Sequence, residues 1–261
     1  MENFIDIQLN SKLYFSEHII KPDYDICYSN FIDDSYWNYA YLKNNNIDFT
    51  LTFQSIINDL HCLRRTPTLY VTSDILNSEL NKYIEDNHFQ LLYTDSWLVL
   101  NDISKFPSFK SPLSFTTRKV DIAASNKFID AVMIGFSGDN PDDPYESLSD
   151  GYRTSLEKSF YSDDNNYRII HYLGEKNGEV ISTASVVYKD NSAILYNITT
   201  NKKYQKLGVC KQMMSDIITK LKSFGIDKIC VQTEKDYYPE KIYQNFGFKK
   251  AILGKAYKLE G

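Results

Sequence analysis

The chain has 261 residues, of which 43% are hydrophobic and 24% charged, and its net charge is −5. This composition is typical of a folded globular protein with one large domain or two of ordinary size, not of a disordered chain. The negative charge disfavours a nucleic-acid partner, because neutralising phosphates requires a basic surface.

The sequence carries no targeting or metal-binding signal. Its apolar runs are only as long as strands, so we expect no membrane-spanning segment. The stretch MENFIDIQLNSKLYF begins acidic and lacks a continuous apolar core, so we expect no signal peptide. The four cysteines are scattered without a C-x-x-C pair, which indicates neither a disulfide framework nor a metal site. Free thiols suit a reducing compartment and predict a cytoplasmic protein.

The first half of the chain predicts a small α/β unit. Its clearest elements are a helix at FTLTFQSIINDLHCLRRT, a strand at TLYVTSDI, a helix at LNSELNKYIEDNH and a strand at FQLLYTDSWLVL. Residues 101–114 follow, with two prolines, four serines and no apolar period, and are typical of a linker. We therefore predict an N-terminal domain at 1–105 and a second domain at 113–261.

The second half begins with a strand, a helix and a run of antiparallel strands. LSFTTRKV has a strand pattern, and DIAASNKFIDAVMIGF predicts a helix capped by Asp121. Residues 166–200 predict three antiparallel strands, with turns at 176–178 and 189–191.

The end of the chain alternates helices and strands. From Val209 to Phe224 apolar residues recur at helical spacing, and Gly225 ends that helix. The remaining predicted elements are a strand at DKICVQT, a short helix at YPEKIYQNFG and a final strand at FKKAILGKAYKL.

Gly208 stands directly before the helix that begins at Val209. A helix N-terminus has unpaired N–H groups and a partial positive charge, so it is suited to bind an anion. Successive N–H groups over residues 206–211 would form a nest suited to a pyrophosphate, and four lysines surround it: Lys202, Lys203, Lys206 and Lys211. Neither a P-loop nor a G-x-G-x-x-G fingerprint occurs. The alternative is an ordinary helix start with solvated lysines.

The two halves share a strand–helix–strand order. In the alignment of LYVTSDI through SWLVL with ICVQTEKD through AYKL, Phe89 matches Phe248 and Ile84 falls opposite Tyr243. No glycine loop precedes the corresponding N-terminal helix. The first half is then a copy that kept the scaffold and lost the chemistry, with coincidence as the alternative.

Residues 113–261 resemble the GNAT superfamily of N-acetyltransferases. Its signature [RQ]-x-x-G-x-[GA] between a strand and a helix is filled by residues 205–210, with Cys210 in place of the final glycine or alanine. The family's second pattern, roughly N-x-x-A-x-x-L-Y-x-K-x-G-F, is met by DYYPEKIYQNFGF at Tyr243, Gly247 and Phe248. The resemblance implies an α/β fold with a mixed, mostly antiparallel sheet and flanking helices, preceded by a smaller GNAT-like domain.

The resemblance also implies that acetyl-CoA is the cosubstrate and that no metal takes part. Its pyrophosphate would lie on the glycine loop, and its pantetheine arm between the strands AILYNITT and DKICVQT, which would splay apart. The residues this assigns to the coenzyme are Ile198, Thr199, Thr200, Gln205, Lys206, Leu207, Gly208, Val209, Cys210, Lys211 and Asp236.

For the chemistry, the resemblance implies direct attack of a primary amine on the thioester. Tyr243 would protonate the leaving CoA thiolate, with a purely structural core tyrosine as the alternative. Glu234 is the predicted general base, and a solvated loop carboxylate is its alternative. His171 and Cys230 lie in predicted strands, where we expect structural packing.

The acceptor amine would belong to a small molecule or a peptide. Residues 135–152 carry five acidic side chains, which would attract a cationic acceptor: Asp139, Asp142, Asp143, Glu146 and Asp150. An ordinary solvated loop is the alternative. Two other classes of function stay open, namely a non-catalytic acyl-CoA-binding sensor and a structural interaction protein that uses the N-terminal half as its platform.

Overall fold

The protein is described by a computed structural model that covers residues 1–137, 147–162, 164 and 166–260. Its helices are α1 Glu2–Asn10, α2 Phe49–Cys62, α3 Ser78–Asp86, α4 Ser125–Gly135, α5 Asp150–Ser159, α6 Val209–Ser223 and α7 Tyr238–Asn245. Its strands are β1 Glu17–Ile20, β2 Tyr24–Tyr28, β3 Tyr39–Leu42, β4 Thr68–Thr72, β5 Phe89–Leu100, β6 Thr116–Lys119, β7 Arg168–Lys176, β8 Glu179–Lys189, β9 Ser192–Thr200, β10 Lys228–Glu234 and β11 Lys249–Leu259.

The strands form one 11-stranded sheet in the order β1-β2-β3-β4-β11-β5-β10-β9-β8-β7-β6. Neighbouring strands are antiparallel except for two parallel pairs, β3 with β4 and β9 with β10. The predicted mixed, mostly antiparallel sheet with flanking helices is thereby confirmed. Among the described residues no helix combines the length and apolar character needed to cross a membrane.

The last strands of the two halves are exchanged at the centre of the sheet. The strand β11 of the C-terminal half pairs with β4 and β5, and the strand β5 of the N-terminal half pairs with β11 and β10. The ladder is therefore continuous across the halves, and each half supplies a strand to the other. The predicted limits at 105 and 113 mark the connection along the chain, and as domain boundaries they stay a prediction.

The predicted internal repeat appears in the order of elements. The series β3-α2-β4-α3-β5 in the first half has the same types and pairings as β9-α6-β10-α7-β11 in the second. In both series the first two strands are parallel. Ile84 on α3 and Tyr243 on α7 are both buried, as expected of aligned positions.

The sheet has a packed core on each face. At the paired strands β10 and β5, one face contributes Cys230 and Trp97 to a cluster that includes Phe4 of α1 and Phe128 of α4. The opposite face packs against α6 and α7 in a cluster whose members include Leu98, Val231, Met213, Ile217 and Tyr243. The N-terminal half packs α2 and α3 on a third cluster, with Ile56, Leu60, Leu69 and Leu80 completely buried.

Several local predictions are confirmed and others need correction. Asn177, Gly178 and Asp190 have positive φ, as the two predicted hairpin turns require. Asp121 caps a 3-10 turn, Ile122–Ala124, that leads into α4, so it is not the cap of α4 itself.

Only one residue of the predicted acidic stretch can be placed. Asp150 begins α5. The other four lie outside the described residues: Asp139, Asp142, Asp143 and Glu146.

Candidate functional site

The parallel strands β9 and β10 separate halfway along their length. Their pairing runs from Ser192 opposite Lys228 to Leu195 opposite Val231 and ends there. Beyond that point β9 continues to Thr200 on its other partner, β8, while β10 continues to Glu234 on β5. The two strands thus open a gap at their carboxyl ends, in the segments where the sequence predicted a splay.

A β-bulge lies where the gap opens. The register between β8 and β9 shifts between Thr183 and Ser185, and Asn197 has a φ of +52°. The Thr183 hydroxyl donates a hydrogen bond of 2.7 Å to the Asn197 carbonyl, which holds the displaced backbone. A bulge of this kind bends its strand and re-aims the side chains beside it, so it accounts for the departure of β9 from β10.

A buried polar chain fixes the bulge. The Tyr14 hydroxyl donates to Asn197 Oδ1, and Asn197 Nδ2 donates to Ser185 Oγ at 2.8 Å. His171 Nδ1 lies 2.8 Å from Ser185 Oγ, and its Nε2 lies 2.9 Å from Ser159 Oγ. Because Ser159 donates its own proton to a helix carbonyl, Nε2 is the donor and Nδ1 the acceptor of the neutral imidazole. Tyr14 therefore ties the N-terminal half to the gap.

His171 and Cys230 have the structural roles predicted for them. Burial lowers the pKa of His171 to about 3, so the ring stays neutral and keeps the single tautomer that the chain requires. Cys230 is completely buried, and burial raises the pKa of its thiol far above the usual value, which leaves it unreactive.

The loop before α6 presents unpaired N–H groups. Gly208 has a φ of +76° and Lys206 a φ of +61°, both left-handed. The first backbone donor here with a partner is Gln212, whose N–H bonds the Gly208 carbonyl. Within the described part of the chain, no hydrogen bond of good geometry joins the N–H groups of residues 206–211 to a backbone carbonyl. An uncapped helix start of this kind fits an anionic group.

The four predicted lysines are arranged unequally around this loop. Lys202, Lys203 and Lys206 are exposed to solvent. Lys203 also lies 3.7 Å from a Glu179 carboxylate oxygen, and the Lys211 ammonium lies 4.6 Å from the centre of the Phe109 ring. Part of this positive charge is therefore already engaged with the protein.

The connection 101–114 packs along the start of α6, a contact that the sequence did not indicate. Phe109 N–H donates to Ser215 Oγ at 3.0 Å, Ser111 N–H donates to Gln212 Oε1 at 2.8 Å, and Ser111 Oγ donates to the Leu207 carbonyl. A Cβ at position 208 would lie 3.0 Å from the Phe109 ring. Glycine at 208 is therefore required by its backbone conformation and by the packing of the connection.

Tyr243 lies on α7, on the same side of the sheet as α6. It is buried, and its ring centre lies 6.0 Å from that of Phe248. Burial, and next the nearby Cys210 thiol, raise the pKa of Tyr243 far above its usual value, so its hydroxyl stays protonated. Burial likewise raises the pKa of Cys210 to about 12. The structure thus brings Tyr243 close to the glycine loop.

The two predicted acidic residues lie at the end of β10. Glu234 is half-buried and stands directly opposite Asp95 of β5. Asp236 follows in the exposed turn with a φ of +63°, and its N–H donates to Glu240 Oε2 at 2.7 Å. Glu234 shares the sheet face of Cys230, whereas Tyr243 shares that of Val231. Glu234 and Tyr243 therefore lie on opposite faces of the sheet.

Asp95 is an acidic residue that the sequence analysis did not select. It is 2% exposed and accepts a hydrogen bond of 3.2 Å from the Tyr70 hydroxyl. Burial and the negative charge of Glu234 raise the pKa of Asp95 to about 7, against the opposing effect of the Tyr70 hydrogen bond. No sequence signal marks it, because only the exchange of β5 brings it beside β10.

Comparison with known families agrees with this geometry. The model of the acetyltransferase (GNAT) family matches residues 136–248, which include the gap, the glycine loop and Tyr243. This segment is a GNAT domain. No curated protein matches the sequence.

Solved structures share the fold of the whole chain, beyond the GNAT domain. A GCN5-related N-acetyltransferase from Kribbella flavida has a TM-score of 0.71 at 13% identity, covering 99% of this chain and 95% of that one. A functionally unknown protein from Staphylococcus epidermidis has a TM-score of 0.69 at 12% identity, with coverages of 99% and 97%.

A tandem GNAT protein from the clavulanic acid biosynthesis pathway has a TM-score of 0.61 at 9% identity, covering 90% of this chain and 77% of that one. Together with the repeated order of elements, this match supports a GNAT-like N-terminal half beside the GNAT domain.

Proposed function

We propose that the protein transfers an acetyl group from acetyl-CoA to a primary amine. The observation that carries this proposal is the opening of the β9–β10 gap beside an uncapped helix start at Gly208, within a GNAT domain. Acetyl-CoA supplies the acetyl group as a thioester, and the residues of the chain bind it, orient it and supply a proton.

Coenzyme binding is assigned to the loop and to the free edge of β9. The N–H groups of residues 206–211 would hold the pyrophosphate, and Gln205 and the nearby lysines would border it. Past Leu195, the edge of β9 that faces the gap no longer pairs with β10. Backbone groups of Ile198, Thr199 and Thr200 can therefore bond the pantetheine arm as an added strand would.

The remaining coenzyme contact is assigned to Asp236. Asp236 lies between the end of β10 and the start of α7. Its backbone is left-handed, and its N–H donates a hydrogen bond to the Glu240 carboxylate. This turn joins β10, which borders the gap, to α7, which carries Tyr243. We assign Asp236 to the coenzyme side of the gap for this reason.

Tyr243 is assigned as the proton donor. Burial keeps its hydroxyl protonated, so a proton is available for the CoA sulfur as that sulfur leaves. Glu234 lies on the opposite face of the sheet, where an amine would approach, and its carboxylate attracts an ammonium group. The proton donor Tyr243 and the incoming amine would therefore lie on opposite faces of the sheet, with the gap between them.

A non-catalytic acyl-CoA-binding module is the second candidate. Two observations favour it: Tyr243 belongs to a hydrophobic cluster with Phe248, and Cys210 stands where the family pattern has glycine or alanine. In this case the gap would bind the thioester without passing its acetyl group to an amine.

One experiment separates the two candidates. Acetyl-CoA binding is measured by calorimetry, and free thiol release is then followed with polyamines, amino acids and peptides as acceptors. We expect binding and amine-dependent release of CoA with at least one class of acceptor. Binding without release for every acceptor would favour the sensor, and no binding would contradict both candidates.

A further inference from the structure

The face of the gap opposite to Tyr243 is covered by the N-terminal half. Because β5 lies next to β10, Asp95 stands directly opposite Glu234, three residues beyond the last β9–β10 pair at Val231. Directly opposite residues of an antiparallel pair point to the same face. Both carboxylates therefore lie on the face of α1 and α4, Glu234 on the strand that borders the gap and Asp95 on the next strand of the sheet.

We propose that Asp95, a residue of the N-terminal half, accepts the proton of the incoming ammonium group, so that the two halves share one acceptor site. This inference rests on the proposed acetyl transfer. It assigns the N-terminal half a part in the chemistry, although that half has no glycine loop of its own.

The surroundings of Asp95 suit a positively charged amine. The rings of Tyr36 and Tyr93 stack with their centres 4.6 Å apart, and those of Tyr39 and Tyr70 with centres 5.1 Å apart. Aromatic faces attract a cation, and the attraction grows where water is excluded. With Glu234 they select a cationic acceptor over a neutral one, so the substrate class is an amine that arrives as an ammonium ion.

Asp95 is suited to accept a proton. A proton acceptor works best when its pKa lies near the working pH, and the pKa of Asp95 is raised to about 7 by burial and by Glu234. On the strand at its other side, β11, the residue opposite Asp95 is Gly254. The titratable groups that face Asp95 from neighbouring elements are Tyr36, Tyr39, Tyr70, Tyr93 and Glu234.

The proton balance of the transfer is complete with these groups. The ammonium nitrogen gives one proton to the Asp95 carboxylate, and its freed electron pair forms the N–C bond to the acetyl carbon. The C–S bond breaks, and the sulfur keeps its electron pair and takes a proton from Tyr243. The second nitrogen proton restores Tyr243, and Asp95 releases its own proton to solvent, so one amide, one thiol and one proton are formed.

The test compares pH profiles of kcat/KM for the wild type and Asp95→Asn. The wild type should lose activity below about pH 7, with a limb assigned to Asp95. The variant should lose this acid limb and have a kcat lower by roughly 10²–10⁴-fold, the usual contribution of a positioned base. Its affinity for acetyl-CoA, measured by calorimetry, should stay within about twofold because the glycine loop is unchanged.

Two further variants keep the test decisive if Asp95→Asn folds poorly. Asp25→Asn is the matched control: Asp25 is a buried carboxylate of the same half that lies on β2, next to the β1 edge of the sheet, and pairs with Lys43. It should leave the acid limb in place. Glu234→Gln removes the charge that raises the pKa of Asp95, so it should move the acid limb to lower pH.

The protein without substrate gives an independent readout. A carboxyl pKa raised on folding means that the folded state holds its proton more tightly, so stability falls as pH rises from about 4 towards 7. This fall should be smaller in Asp95→Asn than in Asp25→Asn. A carboxyl carbon signal that titrates near pH 7 by NMR should also disappear from Asp95→Asn.

The outcomes separate this inference from the proposed function. If the wild type acetylates an amine and Asp95→Asn keeps the same acid limb, the inference is overturned and acetyl transfer stands. If acetyl-CoA binds but no amine is acetylated, acetyl transfer falls and the inference falls with it. Loss of the limb in Asp95→Asn, together with its downward shift in Glu234→Gln, supports the inference.

Discussion

In each of the two parallel strand pairs a helix connects the first strand to the second, and these two helices differ in how their N-termini are satisfied. After β3, α2 begins at Asp48, whose carboxylate accepts the Leu51 N–H at 3.0 Å. After β9, α6 begins at Gly208, which has no side chain to fill the same place. One helix start is therefore satisfied by the protein's own anion, whereas the other is left open to an anion from outside.

The difference extends to the helix that follows each second strand. Ile84 on α3 is completely buried, while its counterpart on α7 is Tyr243, a side chain that carries a proton. The same topology thus produces a packed scaffold in one half and a candidate reaction site in the other. The scaffold half also contacts the gap, because Tyr14 secures the bulge of β9 on one side and β5 pairs with β10, the strand on the other side.

The largest expected effect comes from removing the hydroxyl of Tyr243, a group that its counterpart Ile84 lacks. Tyr243→Phe keeps the ring and removes the hydroxyl, so kcat should fall by roughly 10²–10⁴-fold, or about 3–5 kcal/mol of barrier, with little change in acetyl-CoA affinity. Steady-state kinetics measure the split between kcat and KM. Tyr172→Phe, at a buried tyrosine of the same cluster, is the control and should keep full turnover. Full activity of Tyr243→Phe would leave solvent as the acid.

The second prediction places a bulky side chain at the uncapped N-terminus of α6. In Gly208→Val the left-handed backbone is strained and the side chain meets Phe109, so the nest is distorted. The affinity for acetyl-CoA should fall by roughly 100-fold or more, equivalent to about 2.7 kcal/mol. Calorimetry measures this loss, and circular dichroism checks that the protein stays folded.

Gly225→Val is the matched control for Gly208. Gly225 has a φ of +79° at the other end of α6, and no atom of the described residues lies within 4 Å of a Cβ built there. It should carry a similar backbone strain and keep coenzyme affinity. An unchanged affinity in Gly208→Val would contradict the nest, and an equal loss in both variants would assign the effect to α6 as a whole.

The smallest expected effect tests the capped helix start. Asp48→Ala removes the cap of α2 and should lower the free energy of unfolding by about 1 kcal/mol. Asn77→Ala, which removes the similar cap of α3 at the Leu80 N–H, should cost about as much. Both variants should still bind one acetyl-CoA per chain by calorimetry. A second bound coenzyme in Asp48→Ala would show that the N-terminal half lost its nest only through this carboxylate.

Helices and strands were predicted best from the sequence where the hydrophobic periodicity was strong and where turn or capping residues marked their ends. The amphipathic run that became α6 and the hairpin residues Asn177, Gly178 and Asp190 lie where expected. The helix α5 was not predicted, because DGYRTSLEKS buries only Ser155, Leu156 and Ser159 and shows no apolar stripe. The strands β1 to β3 also escaped prediction, since each has only four or five residues.

What the sequence by itself determined is local. Gly208 before an amphipathic run sets an uncapped helix start, and the patterns around it and around Tyr243 indicate the GNAT domain, because conformation and chemistry there depend on neighbouring residues. Only the tertiary structure decided that β5 and β11 exchange places, and hence that Asp95 faces Glu234 across 139 positions of sequence. Strand order depends on pairing energies summed over the whole sheet, which no single stretch of residues contains.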